Sequence, residues 1–277
     1  MRFRKIYVEI SNLCNLKCRF CPGTKRTPGR MSAENFAALL PKLRPYTDFL
    51  YFHIMGEPLC HPLLEEFLTL AGQAGFKVIL TTNGTLLANR QEMLLGHPAL
   101  HKVNISLHAF EANDLAVSFA QYLDDCFAFG RAAAGNKLVV YRLWNQGGAD
   151  ELNSDILTRM KTHFPDPWVT EPRGTRIDRR VYLEYGEKFD WPDMQADEGS
   201  CHIRCLGLRD QMGILWDGTA VPCCLDHEGD LALGNLLEQE MDEILSSPRA
   251  KAIYEGFLHG QAVEPLCRRC GYARRFG

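Results

Sequence analysis

Between Ile6 and Thr170, six short β-rich apolar runs alternate with longer runs of helical spacing. The runs that read as strands cover 6–10, 49–54, 77–80, 102–107, 137–143 and 168–170; Val, Ile, Leu, Phe and Tyr dominate them. Ser32 reads as an N-cap, followed by Phe36, Leu39, Leu40 and Leu43 at helical spacing up to Pro45. Further helices are predicted over 62–74, 88–95, 114–134 and 152–163. Such alternation predicts a parallel α/β sheet with right-handed crossovers. The remaining chain does not supply the two further units that a closed eight-fold barrel needs, so the expected fold is a partial (β/α)6 TIM-like barrel. Pro165, Pro167, Pro172 and Pro192 break the alternation, and 182–185 reads as an edge strand or hairpin arm. The domain boundary is placed near Gly186, dividing the chain into a barrel (1–186) and a small C-terminal domain (187–277).

Parallel barrels carry their chemistry at the carboxyl ends of the strands. Here those ends hold a cysteine loop, Gly56-Glu57-Pro58, Thr82-Asn83, Ser106 with His108, Arg142 with Asn145, and Glu171 with Arg173. In the loop, Cys14, Cys18 and Cys21 are spaced C-x3-C-x2-C. A disulfide would leave one thiol over. Structural zinc normally takes four ligands, and no fourth follows nearby. A cubane takes four thiolates; three would leave one iron open to a small ligand. Six of the eleven cysteines lie after residue 200. Cys205, Cys223, Cys267 and Cys270, with Gly218 between the first two, suit four thiolates around one cluster, although the C-x2-C pair also suits zinc.

A chain of 277 residues buries a sizeable core. Its net charge of −3 exerts no global pull on nucleic acid or anionic membranes, and neither is expected as a partner. No stretch has the length of a membrane span, and the N-terminus lacks the apolar segment of a signal peptide. Cysteine-rich composition without an export signal points to a reducing, cytoplasmic setting and to metal ligation. Cys60 and Cys126 are expected to pack as small apolar residues, and His53 to be a satisfied core or lumen residue. Arg173, Arg176, Arg179 and Arg180 read either as a grip for an anionic substrate or as a solvated face. Arg268, Arg269, Arg274 and Arg275 read as a donor-docking patch or a solvated tail.

The octet Cys14-Asn15-Leu16-Lys17-Cys18-Arg19-Phe20-Cys21 resembles the C-x3-C-x-aromatic-C signature of radical S-adenosylmethionine (radical SAM) enzymes. Met55-Gly56-Glu57-Pro58 resembles that family's Gly-Gly-Glu-Pro motif, with Met55 as a departure, and Thr82-Asn83-Gly84 matches a turn found in many relatives. The C-terminal cysteines, with Asp217-Gly218, Pro222-Cys223 and Leu233-Gly234-Asn235, are similar to the twitch form of the SPASM iron–sulfur module.

The resemblance implies a catalytic [4Fe-4S] cluster on Cys14, Cys18 and Cys21, whose open iron chelates S-adenosylmethionine. It implies cofactor contacts from Phe20, Gly56, Glu57, Pro58, Asn83, Ser106, Arg142 and Asn145. It further implies a second [4Fe-4S] cluster on Cys205, Cys223, Cys267 and Cys270, with Cys201 and Cys224 as spares. Too little chain follows for a third cluster. The implied activity is that of an oxidoreductase. A 5′-deoxyadenosyl radical abstracts hydrogen from substrate and the auxiliary cluster accepts an electron, as in aminocyclitol dehydrogenases, whose auxiliary spacing looks similar. A low-potential donor, flavodoxin or ferredoxin, and a small alcohol or sugar substrate complete that expectation. One alternative is a peptide maturase forming a crosslink or an epimer. With the cysteine motif starting at residue 14, no N-terminal leader-binding domain is expected in this chain, although a separate protein can supply one. Another is a non-catalytic iron–sulfur electron carrier, which the open-iron motif opposes.

Overall fold

The computed structural model of the chain describes residues 2–114, 116–172 and 174–276. Strand β1 (Lys5–Val8) is followed by α1 (Ala33–Leu43), β2 (Phe49–Phe52), α2 (Leu64–Gln73), β3 (Lys77–Thr82) and α3 (Leu87–Gly96). Then come β4 (Leu100–Ser106), α4 (Phe119–Ala133), β5 (Leu138–Gln146) and α5 (Asn153–His163). Ser32 caps α1 by accepting the Asn35 N–H at 3.1 Å, as its position before the apolar run predicts. Strands β1 to β5 are parallel neighbours in chain order.

The sixth parallel strand is not 168–170. The chain forms β6 (Val169–Glu171) and β7 (Gly174–Asp178) as an antiparallel edge, and β8 (Val181–Glu187) then pairs parallel to β5. The reason is burial. Val169 and Thr170 are exposed, whereas Val181 and Leu183 of β8 are fully buried against the helices. The segment 182–185 is thus a hairpin arm, with β5 on one side and β7 on the other. Arg173 lies outside the described residues.

Side chains alternate along every barrel strand. Ile6, Val8, Leu50, Phe52, Val78, Leu80, Val103, Ile105, Val139 and Tyr141 face outward into one core with Phe36, Phe67 and Phe127 of the helices. The residues between them, among them Lys5, Tyr7, Tyr51, His53, Lys102, Arg142 and Trp144, line a cavity. The barrel therefore has an apolar outside under its helices and a polar lumen.

The C-terminal part is built onto the same sheet. Strand β9 (Gln211–Ile214) runs parallel to β1, and β10 (Thr219–Val221) and β11 (Gly234–Asn235) follow as antiparallel neighbours. The eleven strands lie in the order β11-β10-β9-β1-β2-β3-β4-β5-β8-β7-β6. The β9–β10 turn needs positive φ at Gly218 (+90°). Short helices α6 (Met241–Ser246), α7 (Pro248–Leu258) and α8 (Pro265–Arg268) complete the chain. Among the described residues, no helix is long and apolar enough to cross a membrane.

One buried carboxylate ties these parts together. Glu9, just past β1, has a side chain with 0% exposure. Arg26 Nη2 donates to its Oε2 at 2.7 Å, and the backbone N–H groups of Met55 and Trp216 donate at 3.2 and 3.3 Å. Arg26 also donates through Nε to the His227 carbonyl at 2.7 Å. Burial pushes the Glu9 pKa up, and Arg26 opposes that shift. Glu9→Gln keeps the shape but leaves the Arg26 charge uncompensated. Urea denaturation should show a loss of about 3–5 kcal/mol; a loss under about 1 kcal/mol would show that the pair does not hold the C-terminal segment to the barrel.

Candidate active site

A cavity of about 540 Å³ occupies the lumen and reaches the C-terminal segment. Cys14, Cys18 and Cys21 line it, and so do Cys205, Cys223, Cys224, Cys267 and Cys270. All eleven cysteines are free thiols.

The first cysteine loop is held by the turn after β2. Gly56 has φ +78°, and a Cβ there would lie 2.3 Å from the Ser11 carbonyl oxygen. Glu57 N–H donates to the Leu13 carbonyl at 2.9 Å, while Asn12 Oδ1 accepts the Gly29 N–H at 2.8 Å. The sulfurs face N–H donors: Leu16 N lies 3.4 Å from Cys14 Sγ, and Asn113 Nδ2 lies 3.1 Å from Cys18 Sγ. Burial pushes the Cys14 thiol up to about 11 and raises Cys18 and Cys21 as well.

Glu57 is buried beside them. It accepts the Asn83 N–H at 2.7 Å, the Leu59 N–H at 3.0 Å and the Thr82 hydroxyl. Burial outweighs these donors and raises its pKa to about 7. Asn83 Nδ2 donates to Asn15 Oδ1 at 2.9 Å, which joins the turn after β3 to the cysteine loop. Phe20 packs 4.9 Å from the His108 ring, and both line the cavity together with Ser106.

Other expected rim residues fall elsewhere. Pro58 opens a short 3₁₀ turn (Pro58–Cys60) and does not line the cavity. Asn145 turns away from it, donating to the Ala149 carbonyl at 2.7 Å and exchanging hydrogen bonds with Asn153 at the start of α5. Glu171 sits on the antiparallel edge, paired with Arg176 at 2.7 Å. Arg176, Arg179 and Arg180 do not line the cavity. Cys126 is a core residue with 0% exposure. Cys60 is only half-buried, and the Asn15 backbone N–H donates to its sulfur.

Of the lumen residues, Lys5, Tyr7, Tyr51 and Trp144 carry no signature and were not singled out from sequence, whereas Arg142 was expected as a cofactor contact and His53 as a core or lumen residue. Lys5 Nζ lies 5.1 and 5.2 Å from the ring centroids of Tyr7 and Tyr51. Tyr7 also meets His53 edge-on at 4.9 Å. Arg142 stacks on Trp144 at 4.5 Å, with Glu184 3.6 Å from its Nε. His53 Nδ1 has no hydrogen-bond partner, so this residue is in the lumen but not satisfied. The available signal was alternation: Lys5-Ile6-Tyr7-Val8-Glu9 places every polar side chain on one face.

On the C-terminal side, Cys205 Sγ accepts the Gly207 N–H at 3.3 Å. Burial raises the Cys205 thiol to about 11 and Cys223 and Cys267 further still, and each of the latter two is raised again by Cys205 and Cys270. Cys224 also lines the cavity and accepts the Tyr7 hydroxyl. Cys201 is exposed beside His202 and lies off the cavity. Arg268 and Arg269 both pair with Glu198, at 3.2 and 2.9 Å, and so serve the internal packing of this segment.

Residues 8–125 match the family model of the radical SAM superfamily, and residues 205–271 match that of an iron–sulfur cluster-binding domain, SPASM. The chain belongs to the radical SAM superfamily. Over 276 residues it is 26% identical to the S-adenosyl-L-methionine-dependent 2-deoxy-scyllo-inosamine dehydrogenase of Niallia circulans, covering 97% of this chain and 92% of that one. It is 28% identical, over 50% of its length, to the tungsten-containing aldehyde ferredoxin oxidoreductase cofactor-modifying protein of Pyrococcus furiosus. The match takes in 38% of that relative, so the chain spans little more than a third of it. Among solved structures, BtrN in complex with AdoMet and 2-DOIA superposes with a TM-score of 0.65 at 18% identity, covering 98% of this chain and 93% of that one. Streptococcus suis SuiB bound to S-adenosylmethionine gives 0.64 at 15% identity, covering 98% and 72%. At these identities the two superpositions speak for the radical SAM fold alone.

The two radical SAM and SPASM spans imply S-adenosylmethionine and iron–sulfur clusters as cofactors. The donor sets present fit such clusters. Both are thiol-only, both have amide N–H groups directed at sulfur, and both face one cavity. Bound iron would supply the charge that turns these raised thiols into thiolates. Among the described residues, no three Cys, His, Asp or Glu side chains close around one metal ion. Gly56→Ala should cost at least about 1–2 kcal/mol from the left-handed backbone alone, besides displacing the cysteine loop. A lowered melting temperature and reduced iron uptake on anaerobic reconstitution are expected; wild-type iron uptake would show that this close approach does not shape the site.

Proposed function

We propose that this radical SAM enzyme is a dehydrogenase that removes two hydrogens from a small hydroxylated molecule held in the barrel lumen. One observation carries the reading: both cysteine sets line a single cavity of about 540 Å³, so one small molecule can lie between them. That volume falls within the roughly 300–1,000 Å³ usual for small-molecule sites. The dehydrogenase name of the relative matched over nearly its full length points the same way.

In this reading Cys14, Cys18 and Cys21 hold one cluster, and Cys205, Cys223, Cys267 and Cys270 hold the other. Phe20, Gly56, Glu57, Asn83 and Ser106 hold S-adenosylmethionine, and Pro58 fixes the turn beneath them. When bound, these groups supply a hydrogen-abstracting radical and an acceptor for the second electron. The chain's own part is to bind and to exclude water. Glu57 offers its carboxylate to an ammonium group, and Phe20 and His108 form an aromatic wall. The aromatic lining at Tyr7, Tyr51 and Trp144 keeps solvent from the reacting carbon. A flavodoxin- or ferredoxin-type donor belongs to the proposal, as does a division of labour near residue 186.

The test uses the anaerobically reconstituted chain with S-adenosylmethionine, reductant and a small-molecule cell extract. A species lighter by two hydrogens should accumulate with 5′-deoxyadenosine, and Cys14→Ala should abolish both and lose one of two clusters. Unchanged 5′-deoxyadenosine in Cys14→Ala would end the catalytic assignment; a mass change confined to peptides would replace dehydrogenation by peptide maturation. A pH dependence follows from Glu57. With its pKa raised to about 7 by burial, it is neutral below that pH and charged above it. An ammonium ligand favours the charged form. Equilibrium dialysis should show S-adenosylmethionine binding more tightly as pH rises from about 6 to about 8; a flat profile would remove Glu57 as the ammonium partner.

A further inference from the structure

We infer that the deep end of the lumen is an oxyanion subsite, formed by Lys5 and Arg142 with Tyr7 and Tyr51, and that the substrate carries a phosphate or carboxylate group. The inference rests on the small-molecule reading above and adds the chemical class of that molecule.

Two cations converge there, with one carboxylate, Glu184, ion-paired to Arg142. Lys5 comes from the start of β1 and Arg142 from β5, with three strands between them in the sheet order, and both line the cavity. Burial lowers the pKa of both, and the Arg142 charge depresses Lys5 further. Lys5 is held by the faces of Tyr7 and Tyr51, an arrangement that leaves its N–H donors available. The Arg142 side chain is 14% exposed, and Glu184 stands 3.6 Å from its Nε, beyond hydrogen-bond reach.

Unused hydrogen-bonding atoms surround the same space. Arg142 Nε, Trp144 Nε1 and His53 Nδ1 are buried without a partner. Buried polar atoms are nearly always satisfied, so three unpaired ones on residues that line one cavity mark side chains that a ligand can engage by small rotations. Two of them are obligate donors, and an oxyanion offers acceptors to both. The wider lining agrees. Lys5, Lys102, Arg142, Lys188 and Arg204 face Glu57 and Asp226 as the acids. Glu57 is engaged by backbone N–H groups, and Asp226 by the Leu231 N–H at 3.0 Å.

Binding is measured without turnover, so a failed dehydrogenase assay leaves this result standing, and the reverse. The anaerobically reconstituted full chain is titrated calorimetrically with inorganic phosphate, D-glucose 6-phosphate, D-glucuronate and D-glucosamine. Inorganic phosphate should bind and compete with the better sugar anion. One of the two sugar anions should bind at least about tenfold tighter than glucosamine, and which one does so separates a phosphate from a carboxylate. Lys5→Gln should weaken that binding about tenfold with iron content and cluster electron paramagnetic resonance unchanged, and Lys5→Arg should restore it. Three results would each overturn the inference: glucosamine binding as tightly as either anion, which would point to Asp226; no binding of inorganic phosphate; or Lys5→Gln altering the cluster signals while leaving anion affinity intact, which would make the cations partners of the clusters instead.

Discussion

The Glu9 carboxylate is the point on which the two halves of the molecule depend. It sits past the end of β1 with its side chain wholly buried, and accepts hydrogen bonds from three different segments. Each donor belongs to a stretch that builds the site. Arg26 closes the cysteine loop, Met55 precedes the Gly56-Glu57 turn, and Trp216 follows β9 of the auxiliary segment. A buried carboxylate with one charged partner and two backbone donors tolerates few alternative arrangements, because any of them leaves a charge or an N–H unsatisfied. The parallel β1–β9 pairing adds a continuous ladder beside this contact. The two thiol sets are thus fixed relative to one another by one sheet and one ion pair.

The lumen follows from a pattern of period two. A parallel barrel buries its outer face under helices and fills its inner face with side chains. Here the outer face is uniformly apolar, from Ile6 and Val8 to Val181 and Leu183. Stability resides there, so the inner face is free to carry Lys5, Tyr7, Tyr51, His53, Lys102 and Arg142. The strand that breaks the simple six-fold reading obeys the same rule. Val169–Glu171 has no apolar outer face to bury and is left at the edge, while the Val181 and Leu183 pair draws β8 against β5.

Much of this was legible before any coordinates. The alternation of strands and helices, the three-cysteine loop and the four later thiols are local patterns whose spacing survives folding. Residues whose role depends on direction were less legible. Asn145 stands at the end of β5 as a rim residue should, yet its amide completes hydrogen bonds at the start of α5. Glu171 was placed on the rim by a strand that proved antiparallel. Lys5 escaped notice, and His53 was read only as a satisfied core or lumen residue, for the opposite reason: each is unremarkable in its own segment, and gains meaning from what faces it across the lumen. Cross-barrel proximity leaves no mark in a single sequence.

The charge along the cavity is ordered. At the cysteine-loop end stands Glu57, the acidic group of the rim, able to ionise around neutral pH. At the other end stand Lys5 and Arg142, with His53 held neutral, its pKa lowered to about 3 by burial and by those two cations. A field of this polarity sorts ligands without contacts specific to either, because in a low-dielectric cavity each misplaced charge meets a like charge and few screening ions. In the proposed reading, an ammonium-bearing cofactor is favoured at the loop end and an oxyanion-bearing substrate at the deep end. The reactive atoms of each are then left facing one another between the two ends. Orientation in this barrel would thus be set by the order of charges along the lumen, an order that alternation along β1, β2 and β5 writes into the inner face of the sheet.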